Sequence, residues 1–117
     1  LFHDHGVRTI FVESNGQLDG LLDLWVESGM NGVYLLEAGA GVDALNLRRR
    51  YGRALVLIGN LDHHAFCKAK RDIADEVRTK VPALLEEGGY IPAPDHPLPP
   101  EVPLENYEYY LQLLKFV

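Results

Sequence analysis

Four short apolar runs without polar alternation, each followed by apolar residues that recur every three or four positions, restrict this chain to few folds. Apolar residues at successive positions suit a strand covered on both faces, and the three-to-four spacing draws one stripe along a helix. The runs occupy residues 8–12, 32–36, 54–58 and 90–93. Leu18, Leu21, Leu22, Trp25 and Val26 follow the first, closed by Gly29. After the second, Asp43 is placed to cap a helix ending in Arg48-Arg49-Arg50 and Gly52, a charge order that matches the helix macrodipole. Those three arginines read as a solvated last turn. Phe66, Ala69, Ile73, Val77, Val81 and Leu84 follow the third run, and Pro82 should kink or restart their helix because it lacks the N–H for an i to i−4 bond. Leu104, Tyr107, Leu111 and Leu114 follow the fourth. Residues 1–6 read as the last turn of a helix closed by Gly6.

Strands alternating with helices imply a parallel sheet with right-handed crossovers, an α/β architecture of four (β/α) units. Two forms satisfy that pattern: a small open doubly wound sheet, and half of an eight-stranded (β/α) barrel, which would leave two raw edges. The length of 117 residues supports one modest core, hence one domain or part of one. The chain begins at Leu1, without methionine and inside an element, as a fragment of a longer polypeptide would. A formal charge of −6 without a basic stripe argues against nucleic acid and anionic membranes as partners. No apolar run approaches the roughly 20 residues of a membrane span. The single cysteine, Cys67, excludes an internal disulfide and suits the cytoplasm. It reads as a small apolar residue packed beside Phe66.

Parallel strands all point one way, so residues just beyond each strand gather at one rim. Glu13 and Asn15, Glu37, Asn60 and Asp62, and Asp95 and His96 hold those places. Glu13 and Glu37 suit a general base, a metal ligand or an acceptor for substrate; His96 suits a proton donor, an anion contact or a zinc ligand. The competing reading is that such residues cap strands and helices, Asn15 and Asp62 above all. His3 with His5, and His63 with His64, invite a metal reading, against which stand solvated, capping or helix-start histidines. Gly39 and Gly41 form only a lone Gly-x-Gly, and Glu37 beside them repels phosphate. Tyr107, Tyr109 and Tyr110 read as core and helix-surface residues.

Tyr51-Gly52, Leu57-Ile58-Gly59-Asn60-Leu61-Asp62, the stretch Gly88-Gly89-Tyr90-Ile91-Pro92-Ala93-Pro94-Asp95-His96, and Pro103-Leu104-Glu105-Asn106-Tyr107 together resemble the C-terminal portion of the uroporphyrinogen decarboxylase superfamily. That superfamily also contains corrinoid-dependent methyltransferases. The resemblance covers nearly the whole chain and favours the barrel: residues 1–117 become one partial domain, the C-terminal half of a (β/α)8 TIM-like barrel. It implies a small-molecule substrate. His96 matches a histidine that lines the porphyrinogen pocket of decarboxylases. In the methyltransferase branch, a His-x-Cys pair and a later Cys hold zinc, which activates the thiol that accepts a methyl group from methylcobamide. The matching positions here are Glu13, Asn15 and His96.

The resulting expectation assigns His96 and Glu37 to catalysis, Asn60, Asp62 and Asp95 to substrate binding, and Glu13 with His96 to a metal, zinc. Methyl transfer, with methylcobamide on a partner corrinoid protein, ranks ahead of uroporphyrinogen decarboxylation in tetrapyrrole synthesis. The rival is a catalytically inert half that must pair with an N-terminal half or a second copy. A small-ligand binding module without chemistry ranks below both.

Overall fold

In the computed structural model, which describes all of residues 1–117, strands and helices alternate from β1 (Phe11–Ser14) to the last helix. The others are α1 (Leu22–Glu27), β2 (Gly32–Leu35), α2 (Ala44–Tyr51), β3 (Val56–Leu61), α3 (Lys70–Glu87), β4 (Tyr90–Pro94) and α4 (Leu104–Leu114). The sheet order is β1-β2-β3-β4, with every pair parallel. This is an α/β fold with the architecture of a sector of a (β/α) barrel. No helix is long and apolar enough to cross a membrane.

Side chains alternate across a strand, so the register sorts them into two rows. Val12, Val33, Leu57 and Tyr90 lie abreast and face the helices, where Leu22, Leu47, Phe66, Ile73, Val77, Val81, Leu84 and Tyr110 complete the core. Glu13, Tyr34, Ile58 and Ile91 form the next row, on the opposite face. That row is largely uncovered: Tyr34 and Ile91 remain 38% and 50% exposed, and Phe11 beside them 44%, while Ile58 between them is buried.

The strands are displaced from their expected limits for local reasons. Upstream of Phe11, the Ile10 carbonyl still accepts the N–H of Asn31 at 2.8 Å, but the residue's own N–H donates to the Asn31 side chain at 2.7 Å, so the ladder that residues 8–10 were expected to join stops there. The third strand begins later, because residues 52–54 form a 3₁₀ turn, and it runs on through Gly59, Asn60 and Leu61, which pair with Pro92, Ala93 and Pro94. Two prolines are tolerated in β4 because it has a neighbour on one side only.

The helices also depart from the simple stripes. α3 passes through Pro82 without restarting; the proline is exposed, on the side of the helix turned away from the core. α4 packs through Asn106 and Tyr110, while Leu104, Tyr107 and Leu111 are exposed. Asn106 fixes that rotation by donating to the carbonyls of Phe66 at 2.8 Å and Lys68 at 3.0 Å. Tyr110 stands edge-on to Phe66, and burial lifts its hydroxyl to a pKa of about 12. Of the three arginines expected in solvent, Arg48 is buried. Its guanidinium donates to the carbonyls of Gly52, Leu55 and Gly89, tying the end of α2 to β4, and desolvation lowers its pKa. Cys67 is exposed at the end of a 3₁₀ turn, His63–Cys67, rather than packed with its neighbour Phe66.

Candidate active site at the strand ends

Two residues beyond β2, Glu37 reaches in both directions along the rim. Its Oε2 accepts the N–H of Gly16, beyond β1, at 2.6 Å, and its Oε1 lies 3.1 Å from Nε2 of His96, beyond β4. One carboxylate therefore joins the first and last loops of the sheet. The hydrogen bonds from His96 and Gly16 hold its pKa below the ordinary 4.5, against a smaller opposing effect of desolvation. The pair stays partly open to solvent, with about a quarter of each side chain accessible.

Asp95 lies behind that pair and is fully buried. Its Oδ2 accepts the N–H of Ala38 at 2.9 Å, and its Oδ1 accepts from both the backbone N–H of His63, at 2.9 Å, and its ring Nδ1, at 2.7 Å. A buried carboxylate needs such donors to offset its desolvation. His63 in turn meets the edge of the His96 ring, with centroids 4.8 Å apart. Asp95, His63, His96 and Glu37 thus form one connected series across the ends of β2, β3 and β4.

Asn60 is at the rim in sequence but not in access. Its Nδ2 donates to the carbonyls of Leu36 and Val42 at 2.8 and 2.7 Å, its Oδ1 accepts the N–H of Ala44 at 2.9 Å, and it is fully buried. It fastens the loop between β2 and α2 to β3. The backbone is tight here: Leu35, Leu36 and Asn60 all have positive φ, and a Cβ on Gly59 would stand 2.3 Å from the Leu35 carbonyl oxygen. Such backbone persists only where packing over-determines it.

The other expected residues divide. Asp62 caps the 3₁₀ turn: its Oδ1 accepts the N–H of His64 at 3.0 Å and the His64 ring Nδ1 at 2.9 Å. Burial opposes its ionisation, but these bonds and the nearby imidazoles outweigh burial and leave its pKa lowered. Asn15 is exposed and caps no helix. Glu13 opens onto the bare face, where it lines a cavity of about 500 Å³ with Tyr34, His96, Leu98 and Tyr107.

That cavity tests the zinc expectation. Glu13 and His96 are its ligating side chains, and His96 Nε2 is already directed at Glu37. No cysteine lines it, and Glu13, Glu37 and His96 do not converge as a three-ligand group. The residues present do not reproduce a zinc–thiolate centre, which takes three protein ligands.

His63 is the residue that sequence reasoning left outside the rim. The only signal for it was its place directly after Asp62, in a histidine pair that also suits a helix start; the contact with Asp95, 32 residues away, has no local signature.

The family model for uroporphyrinogen decarboxylase (URO-D) matches residues 3–116. A search of curated proteins returns no match. The family match spans nearly all of the chain, and the chain belongs to the uroporphyrinogen decarboxylase family.

Proposed function

We propose that this chain is the C-terminal part of a catalytic barrel that binds a carboxylated small molecule at the strand ends and removes CO2 from it. The observation that carries this reading is the Glu37–His96 pair, whose histidine lines the cavity. Decarboxylation breaks a C–C bond and leaves its electron pair on carbon, which must then take a proton. A histidine held beside a carboxylate is suited both to contact the substrate's carboxylates and to deliver that proton. The acidic rim residues Glu37 and Asp95 are each engaged by N–H donors, which reduces their repulsion of an anionic substrate.

Methyl transfer from a methylcobamide on a corrinoid partner is the second reading. It is favoured by one observation, that Glu13 and His96 line the same cavity as potential metal donors. The intact protein separates the two when assayed anaerobically for CO2 release from uroporphyrinogen and for methylcobalamin demethylation, with metal analysis of the same sample. We expect decarboxylation, with His96→Ala lowering kcat by roughly 100-fold or more. Demethylation by a zinc-loaded sample without CO2 release overturns this reading.

The uncovered row of Phe11, Tyr34 and Ile91 supports pairing with the rest of a barrel or with a second copy. Sedimentation of the isolated chain tests that: self-association is expected, and a monodisperse monomer contradicts it. Cytoplasmic placement belongs to the same proposal.

A further inference from the structure

Asp62, His63 and His64 each offer a ligating atom within 4.8 Å of the other two. We propose that these three consecutive residues form a binding site for a divalent transition metal ion of the zinc type, beside the Glu37–His96 pair but not using its side chains. Nδ1 of His63 faces Oδ1 of Asp95 at 2.7 Å, and Nδ1 of His64 faces Oδ1 of Asp62 at 2.9 Å. An imidazole whose Nδ1–H donates to a carboxylate has its lone pair on Nε2, the tautomer that binds metal. Neither Nε2 has a hydrogen-bond partner in the chain, and Oδ2 of Asp62 accepts none.

The supporting groups are those a metal centre needs. A carboxylate behind a ligating histidine fixes its orientation and raises its basicity. Asp95 does this for His63 from a fully buried position, itself anchored by two backbone N–H groups. The Asp62 backbone N–H is held by Glu76 at 2.9 Å, which steadies the start of the tripeptide. Two imidazoles and one carboxylate suit zinc or another first-row transition ion, whereas calcium and magnesium prefer all-oxygen sets.

Access is direct. The His64 side chain is 64% exposed and that of Asp62 34%, so an ion arrives without opening the core. Tetrahedral zinc holds its ligand atoms roughly 3.3 Å apart, so the present spacing must contract. His64 supplies that movement by rotating, which gives up its bond to Asp62 and frees that carboxylate for the ion, while His63 stays fixed against Asp95. The other histidine pair offers a contrast: both ring nitrogens of His3 already face carbonyl oxygens, of Val7 and Gly29, at 2.7 Å each. The site stands whichever reaction the rim performs.

Calorimetric titration of the full chain with Zn²⁺, repeated with Co²⁺ to read its visible ligand-field bands, tests the proposal. One saturable ion per chain is expected. His64→Ala, at an exposed position that leaves the fold intact, should weaken binding by roughly tenfold or more, and Asp95→Asn by about 10- to 100-fold. His3→Ala should bind as the parent does. Zinc binding unchanged in His64→Ala overturns the site. So does binding lost only in Glu13→Gln or His96→Ala, which would move the ion to the rim cavity.

Discussion

The two halves of the rim use the same residue types in opposite ways. At the end of β3 and just beyond β4, Asn60 and Asp95 are fully buried, and every polar atom of their side chains is bonded within the chain. Beyond β1 and β2, Glu13 is exposed on the bare face, and Glu37 keeps part of its carboxylate open beside His96. Asn60 and Asp95 hold the loops in place; Glu13 and Glu37, with His96 beside them, are available to a ligand. A polar residue after a strand therefore marks a rim, but the supply of nearby backbone donors and acceptors decides whether it serves the fold or the substrate.

The sharpest way to break that comparison is at Asp95. Asp95→Ala leaves the N–H groups of Ala38 and His63 and the His63 ring without their acceptor, in a buried setting. We expect a loss of about 4 kcal/mol in urea unfolding, in the range for disrupting a buried charged network. A loss under about 1 kcal/mol, as is usual for surface changes, would mean that the two halves do not differ in kind.

Asn60→Asp is a smaller and more specific perturbation. It keeps the shape and the acceptor for Ala44, but it turns oxygen toward the carbonyls of Leu36 and Val42 where the amide donated. About 3 kcal/mol of stability should be lost by chemical denaturation. If Asn60 instead touched substrate, KM would rise with the midpoint of unfolding unchanged.

The legibility of the chain divides along the same line. The parallel order, the core stripe from Phe66 to Leu84 and the Asp43 cap are local patterns, and residues three or four apart carry them. Register is set between strands. That β3 runs on through Gly59-Asn60-Leu61 depends on β4 lying beside it, and nothing within residues 54–61 reports this. Arg48 illustrates the same limit: next to Arg49 and Arg50 it looks like surface charge, and its burial draws on the carbonyl of Gly89, 41 residues away, as well as on those of Gly52 and Leu55. The rim could be placed from strand ends alone. Which members were free could not, since His63 reaches Asp95 across 32 residues.

On the open half, Glu13→Gln should change stability by less than about 0.5 kcal/mol, as for other exposed side chains without partners. Its effect belongs in turnover or metal content, measured on the intact protein. A stability loss comparable to that of Asn60→Asp would show Glu13 to be structural and erase the distinction.

Glu37 lies between the two classes, anchored at Gly16 yet open at His96, and its expected contribution is the smallest and the most dependent on conditions. Its pKa is depressed in the folded chain by the bonds from His96 and Gly16. The unfolded chain therefore takes up the proton first as pH falls from about the ordinary 4.5, and stability rises with pH across the interval between the depressed and ordinary values. The contribution is fully present above 4.5 and is lost as pH drops through the folded value. Glu37→Gln removes this titration but leaves that of Asp62, so the gap between the melting temperatures of parent and variant isolates it. That gap should be widest above pH 4.5, close in more acid solution, and shrink with added salt because the pair is partly exposed. Parallel melting curves through the acid range would place Glu37 with Glu13, as a free carboxylate that the fold does not hold.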